Sequence, residues 1–285
     1  MPVILDGGLS TAMTEQGHDL THPLWTARLL SENPGAIVAA HRAFLDAGAE
    51  MLITSSYQAS IDGFVRNGAT SDEARTLLQS TTGLARQAVG SRSAVVAASV
   101  GPYGAVLADG SEYRGDYALS NGELVAFHRD RVRLLTETEP DWWACETIPT
   151  AAEAVAIGLA LSTVRRLPTW MTFTCQSGSH TFGGDRIEDA VAAAMSACDL
   201  SAVGVNCTAP GFVPELLKRI RRVSDLPLIA YPNSGGSWDV DNKVWLGDQG
   251  ATDVTAWVTA GAEYVGGCCG VGPAELANLA RLARR

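Results

Sequence analysis

The chain has 285 residues, 46% of them hydrophobic, with 21 Lys and Arg against 31 Asp and Glu and a formal net charge of −10. That size suits one α/β barrel able to bury a large core without a disulfide scaffold, and the negative charge argues against non-specific attraction to nucleic acid or an anionic membrane. No run approaches the roughly 18 apolar residues that a membrane helix needs, and Met1-Pro2-Val3-Ile4-Leu5-Asp6 reaches an acid with no basic segment, unlike a signal peptide.

Short apolar runs bounded by Gly, Pro, Asn or Ser alternate with longer helical stretches. In chain order the expected elements begin with a strand near Val3–Leu5, a helix over Gly35–Ala47, a strand near Met51–Thr54 and a helix over Asp72–Val89. A strand at Ala94–Ser99 follows, and Ser120-Asn121-Gly122-Glu123 then reads as a capping box opening a helix to about Glu137. After a strand at Trp142–Cys145, Thr150-Ala151-Ala152-Glu153 repeats that box and opens the next helix. The second half pairs Thr169–Phe173 with Ile187–Ala197 and Ala202–Val205 with Val213–Arg222. Leu226–Ala230 then pairs with Ala251–Ala260, and Glu263–Val265 with Pro273–Leu282.

Eight strand–helix units predict a single (β/α)8 TIM-type barrel, with residues 1–285 forming one domain. No G-x-G-x-x-G follows the first strand, which lowers the dinucleotide-binding reading. The connections Asp6–Asn33, Gly101–Gly122 and Tyr231–Gly250 are long and each follows a strand. All three should therefore open at the C-terminal face, where barrel enzymes carry their sites.

Six cysteines without regular spacing suggest thiols or metal ligands in a reducing cytoplasm rather than disulfides. Cys207 ends the sixth strand in Gly204-Val205-Asn206-Cys207, and Cys268 and Cys269 follow the eighth in Gly266-Gly267-Cys268-Cys269-Gly270. In a closed barrel these ends share one rim with a single strand between them, so three thiols can converge. Zinc takes cysteine sulfur readily, and three protein ligands leave a fourth position for substrate. Adjacent cysteines point opposite ways from a regular strand, so both reach a metal only where the chain turns, as the flanking glycines permit. Inert packing is the alternative for any one cysteine. Cys145 and Cys175 also fall near strand ends, and Cys198 reads as a helical packing residue. Three thiolates weaken an ion's power to acidify water, whereas a thiol, with a free pKa of about 8.5, can still lose its proton. Such a site suits alkylation of sulfur better than hydrolysis.

With Leu5-Asp6-Gly7-Gly8, Ala47-Gly48-Ala49-Glu50 and Thr54-Ser55-Ser56-Tyr57-Gln58-Ala59-Ser60, the motifs become specific. Together with Cys145-Glu146-Thr147, Tyr231-Pro232-Asn233-Ser234-Gly235 and the two cysteine segments, they run through nearly the whole chain. On these residues the chain resembles the homocysteine S-methyltransferases. The resemblance implies a homocysteine-binding barrel with a zinc ion on Cys207, Cys268 and Cys269 and homocysteine sulfur as the incoming ligand. It implies that Glu146 holds the substrate's amino group, where the alternative is a helix-entry acid favoured by the dipole. Asp6, Gly7, Thr54, Ser55, Asn206 and Asn233 would line the amino-acid pocket, turn or capping roles being the alternative for each.

Ala108-Asp109-Gly110-Ser111-Glu112-Tyr113 looks most like the branch whose methyl donor is S-methylmethionine or S-adenosylmethionine. That branch usually has arginine directly after the double cysteine; here it is Gly270, as in the betaine and methionine synthase branches. A betaine- or other-donor thiol methyltransferase is therefore the nearest alternative. Tyr103, Tyr113, Tyr117 and Trp238, near Asp109, Glu112 and Asp239, would suit a cationic sulfonium. Two rivals come from other classes. A phosphosugar enzyme would grip phosphate with the turns near Gly235-Gly236 and Gly266-Gly267. A Schiff-base aldolase is disfavoured because neither Lys218 nor Lys243 ends a strand. The second rival is a non-enzymatic zinc or thiol redox sensor.

Overall fold

The described residues of the computed structural model are 1–20, 22, 24–239, 244–246 and 253–285, with 237–239 and 244–246 described by backbone alone. The strands are β1 (Val3–Ile4), β2 (Met51–Ile53), β3 (Val95–Val100), β4 (Trp142–Ile148) and β5 (Thr169–Phe173), then β6 (Ala202–Asn206), β7 (Leu228–Tyr231), β8 (Ser237–Asp239), β9 (Val244–Leu246) and β10 (Ala262–Val265). All but β8 and β9 form one parallel sheet in the order β1-β10-β7-β6-β5-β4-β3-β2. The ring closes where Leu5, just past β1, bridges Met51 of β2. The expected (β/α)8 barrel is the observed fold.

Alternation along these strands builds two cores. Leu5, Met51, Ala97, Ala144, Trp170, Ala202 and Ile229 point inward and fill the barrel. Their neighbours Ile4, Leu52, Val96, Trp143, Cys145, Met171, Val203 and Leu228 point outward into the helical layer. Both faces are covered, which is why the strands read as unbroken apolar runs. The alternation also aims the next residues: with Cys145 outward, Glu146 faces the barrel mouth.

The helices are α1 (Leu9–Glu15), α2 (Leu29–Glu32), α3 (Pro34–Asp46), α4 (Ile61–Arg66), α5 (Ser71–Val89) and α6 (Tyr103–Leu107). They continue as α7 (Asn121–Thr136), α8 (Ala151–Leu161), α9 (Ile187–Ala197), α10 (Val213–Ile220), α11 (Val254–Thr259) and α12 (Pro273–Ala283). The capping box at Ser120 is present, and a further one opens α5, where Thr70 and Glu73 bond reciprocally. Short α1, α2 and α6, a 3-10 turn at Trp25–Arg28 and the β8–β9 hairpin sit inside the long connections. The beginning of the expected helix Ala251–Ala260 lies outside the described residues. Among the described residues no helix is long and apolar enough to cross a membrane.

Candidate active site at the barrel mouth

The chain turns sharply at both cysteine segments. Continued as a strand, Cys207 would point outward after inward Asn206, but its backbone is left-handed (φ 44°), which returns the thiol to the mouth. Beyond β10 the other segment is pinned from three sides. Gly267 N donates to Asp6 O (3.0 Å), Cys268 N to Pro232 O (2.8 Å) and Gly270 N to Thr11 Oγ1 (2.9 Å). Val271 N closes the turn onto Cys268 O at 3.0 Å, so the adjacent cysteines aim at one place.

The Sγ atoms of Cys207, Cys268 and Cys269 lie within 4.8 Å of one another. Cys207 and Cys269 are 3.7 Å apart, close to the roughly 3.8 Å expected of two sulfurs about 2.3 Å from one tetrahedral ion. The donor set therefore fits a thiophilic metal. Hydrogen bonding with Cys268 and Cys269, and then with Tyr113, holds the Cys207 thiol well below the usual cysteine range. Cys145, Cys175 and Cys198 stand apart from this group. Cys145 packs outward, Cys175 is buried with its N–H on Thr208 Oγ1 (2.9 Å), and Cys198 ends α9 rather than continuing it.

Gly270 is also left-handed (φ 77°), and a Cβ there would lie 2.1 Å from Ser234 Oγ. Ser234 thus takes the space that an arginine at this position would enter. Gly270→Ala is expected to destabilise the fold by about 1–3 kcal/mol through strain, measured as a lower Tm and denaturation midpoint.

Glu146 rises from near the end of β4 and lines the cavity. Its Oε1 accepts from Ser99 Oγ, and its Oε2 from Tyr231 OH at 3.2 Å. Tyr231 is itself fixed by Trp170 Nε1 at 3.1 Å. Burial pushes the Glu146 carboxyl up to about 7, against the lowering effect of the two hydroxyls. The following residue, Thr147, is left-handed (φ 60°) and clasps Asn206. Thr147 N donates to Asn206 Oδ1 at 2.6 Å, and Asn206 Nδ2 donates to Thr147 Oγ1 at 2.8 Å. Asn206 therefore locks the turn carrying Glu146 to the turn carrying Cys207.

Asp6 Oδ2 accepts from Ile53 N (2.8 Å), while buried Oδ1 has no hydrogen-bond partner. Burial, with Glu146 nearby, raises the Asp6 carboxyl well above the usual range. Ser55 Oγ is likewise buried and unpartnered, whereas Thr54 Oγ1 is engaged with Ser56 Oγ (2.8 Å) and Ser99 N (3.0 Å).

These groups border one cavity of about 1210 Å³, counting its open mouth. Asp6, Gly7, Thr54, Ser55, Glu146, Cys207, Cys268 and Cys269 all line it; Asn206 and Asn233 do not. Asn206 is buried behind the turn that it locks, and Asn233 Oδ1 accepts from Gly235 N at 3.0 Å. Trp25, Tyr57, Glu112, Tyr113 and Tyr231 complete much of the wall. Tyr57 and Tyr231 carried a legible signal, each standing within a motif just after or at the end of a strand. Nothing in the sequence singled out Trp25.

Tyr113 OH lies 3.2 Å from Cys207 Sγ. Burial is the main cause that pushes neighbouring Glu112 up to about 7. The loop holding both is fastened by Glu153, and here the expected second capping box is corrected. Thr150 Oγ1 does accept from Glu153 N (3.1 Å), but the Glu153 carboxylate does not turn back to residue 150. It accepts instead from Tyr103 N (2.6 Å) and Tyr117 OH (2.9 Å), and meets His128 Nε2 at 3.0 Å. A buried acid gains more from three donors than from one exposed backbone N–H. Tyr103 and Tyr117 consequently anchor the loop and do not line the cavity. The side chains of Trp238 and Asp239 lie outside the described residues.

Position, thiol geometry and fold together define a barrel enzyme whose mouth carries three thiols placed to hold a metal ion. Comparison with known proteins makes the class specific. The family profile "Homocysteine S-methyltransferase" matches residues 3–283. Homocysteine S-methyltransferase 4 of Zea mays is 40% identical over 304 residues, covering 99% of this chain and 89% of that protein. Homocysteine S-methyltransferase YbgG of Bacillus subtilis (strain 168) is 36% identical, covering 99% and 94%. The metallated crystal structure of the homocysteine methyltransferase MmuM from Escherichia coli is similar with a TM-score of 0.88 at 37% identity, over 100% of this chain and 96% of that one. The chain belongs to the homocysteine S-methyltransferase family and is a methyltransferase. Membership removes the phosphosugar and sensor readings.

Proposed function

We propose that this enzyme, acting as one barrel domain, transfers a methyl group from a sulfonium donor to homocysteine, giving methionine. The donor is S-methylmethionine or S-adenosylmethionine, and Cys207, Cys268 and Cys269 would hold a zinc ion. The carrying observation is the convergence of three thiols within 4.8 Å beside a cavity whose wall bears three carboxylates. Among the described lining residues there is no Arg, Lys or His. Such a wall favours a donor of net positive charge over zwitterionic betaine, whose net charge is zero. When bound, the zinc would supply the Lewis acidity that lets a thiol lose its proton near neutral pH.

The chain's own residues do the binding and aiming. Glu146 and the free Oδ1 of Asp6 accept the homocysteine ammonium, and the Ser55 hydroxyl is available to its carboxylate. Homocysteine sulfur forms the new C–S bond as the donor's methyl–sulfur bond breaks. The broken bond's electron pair stays on the donor sulfur, which becomes a neutral thioether; the thiol proton passes to solvent. Holding the two sulfurs and the methyl in line lowers the barrier by several kcal/mol, on the order of 7–11 at best. The free thiols suit the reducing cytoplasm as the place of work.

The test incubates zinc-loaded protein with homocysteine and, separately, S-methylmethionine, S-adenosylmethionine or betaine, with methionine read by mass spectrometry. Methionine is expected from a sulfonium. Production from betaine alone, or from none of the three, would overturn the proposal.

A further inference from the structure

Two of the cavity's acids, Asp6 and Glu146, sit together at the strand ends, close enough for each charge to matter to the other. Glu112 lines the same cavity from a different element. It comes from the 3-10 turn Ser111–Tyr113, and its charge is felt by Tyr57, Tyr113 and the Cys269 thiol. The turn is firmly built. Gly104 of α6 packs directly on it, since a Cβ there would lie 2.3 Å from Glu112 N. Ser111 N bonds Asp109 Oδ1 at 2.9 Å, and Glu153 ties both flanks of the loop.

Glu112 Oε2 is sealed from solvent and has no hydrogen-bond partner. A carboxylate oxygen left so is costly unless something occupies the space it faces. The nearest guanidinium, on Arg114, is exposed and committed to Asp109 and Asp116. Among the described residues no cation pairs with Glu112, and the charge of Arg114 is only a minor influence on it. Tyr57 and Tyr113 also line the cavity, each near enough to feel the charge of Glu112, and aromatic rings beside an acid favour a weakly hydrated cation.

We infer that Glu112 is the counter-charge for the donor's onium centre and makes the enzyme prefer a charged sulfonium over the corresponding neutral thioether. The inference rests on the sulfonium-donor reading above. It carries a kinetic signature. The onium charge fades as the methyl leaves, so the attraction is stronger to the bound donor than to the transition state. Losing it should raise donor KM and leave kcat level or somewhat higher. The same fading helps the neutral product depart.

The test compares wild type with Glu112→Gln, which keeps shape and removes charge, and with Glu112→Asp, which restores charge. Donor KM and kcat are measured with S-methylmethionine, homocysteine KM alongside, and binding of S-methylmethionine against methionine by calorimetry. For Glu112→Gln the expected result is a rise in donor KM of about 10-fold or more, with kcat within about threefold. Homocysteine KM should stay within about twofold, the sulfonium-over-thioether binding preference should collapse, and Glu112→Asp should recover part of it. Wild type that uses no sulfonium at all sinks the donor reading itself. Wild type that uses one, with a Gln variant of unchanged donor KM and unchanged binding preference, sinks the role of Glu112 alone.

Discussion

Cys207→Ser is expected to remove bound metal and methyl transfer together while leaving the barrel folded. A serine hydroxyl is a poor ligand for a thiophilic ion, and it stays protonated near neutral pH. The effect should be larger than that of losing an arbitrary thiol, because Cys207 is the sulfur that its neighbours favour as thiolate. It also supplies one edge of the 3.7 Å sulfur pair. The backbone needs no rearrangement: serine accepts the same left-handed turn at the same cost, and the Asn206–Thr147 clasp does not involve the sulfur. Metal content measured by mass spectrometry should fall from about one ion per chain to a small fraction, and methionine formation by on the order of 10³-fold or more. Circular dichroism and Tm in the presence of chelator should match those of chelated wild type. A metal-free variant with full activity would bring down the thiolate site as the seat of the reaction.

Much of this architecture was legible because burial on two faces leaves a coarse imprint. Unbroken runs such as Val-Val-Ala-Ala-Ser-Val at β3 admit few other readings, and β5 and α9 fall on their expected residues. The thiol cluster was legible for a topological reason: in a closed parallel barrel, β6 and β10 flank β7, so their ends must be near. What stayed hidden depends on single torsions and on choices among hydrogen-bond partners. Thr150 and Glu153 have the spacing of a capping box, yet tertiary donors from residues 103, 117 and 128 outbid the local one. Asn206 stands beside a metal ligand in sequence but divides its amide among Thr147, Thr172 and the Cys268 sulfur, and it does not line the cavity. Asn233 likewise closes a local turn. Trp25 reaches the cavity through a 3-10 turn inside a connection with no periodicity to announce it.

Glu146→Gln is expected to trade substrate capture for stability, and the sign follows from burial. The carboxyl titrates near 7 in the folded chain against an ordinary value of 4.5. The folded state therefore binds more protons than the unfolded state between those values. Its stabilising contribution is complete below about pH 4.5 and is lost as pH rises through about 7. The enzyme thus carries a destabilising charge at neutral pH, and the homocysteine ammonium makes use of it. Glutamine removes that charge. Ser99 can turn its hydroxyl to accept from the amide, so Tm at pH 8 should equal or exceed that of wild type, and the decline of stability across the 4.5–7 window should shrink, leaving the shares of Glu112 and Asp6. Capture should suffer in the opposite sense. A charge-assisted bond becomes a neutral one, so kcat/KM for homocysteine should drop about 10- to 100-fold at pH 8. In wild type, homocysteine KM should climb as pH falls below about 7, because the carboxylate is being protonated. In the variant that component of the pH profile should disappear. A glutamine variant with wild-type homocysteine KM at every pH would place the ammonium elsewhere, with the unpartnered oxygen of Asp6 the next group to test.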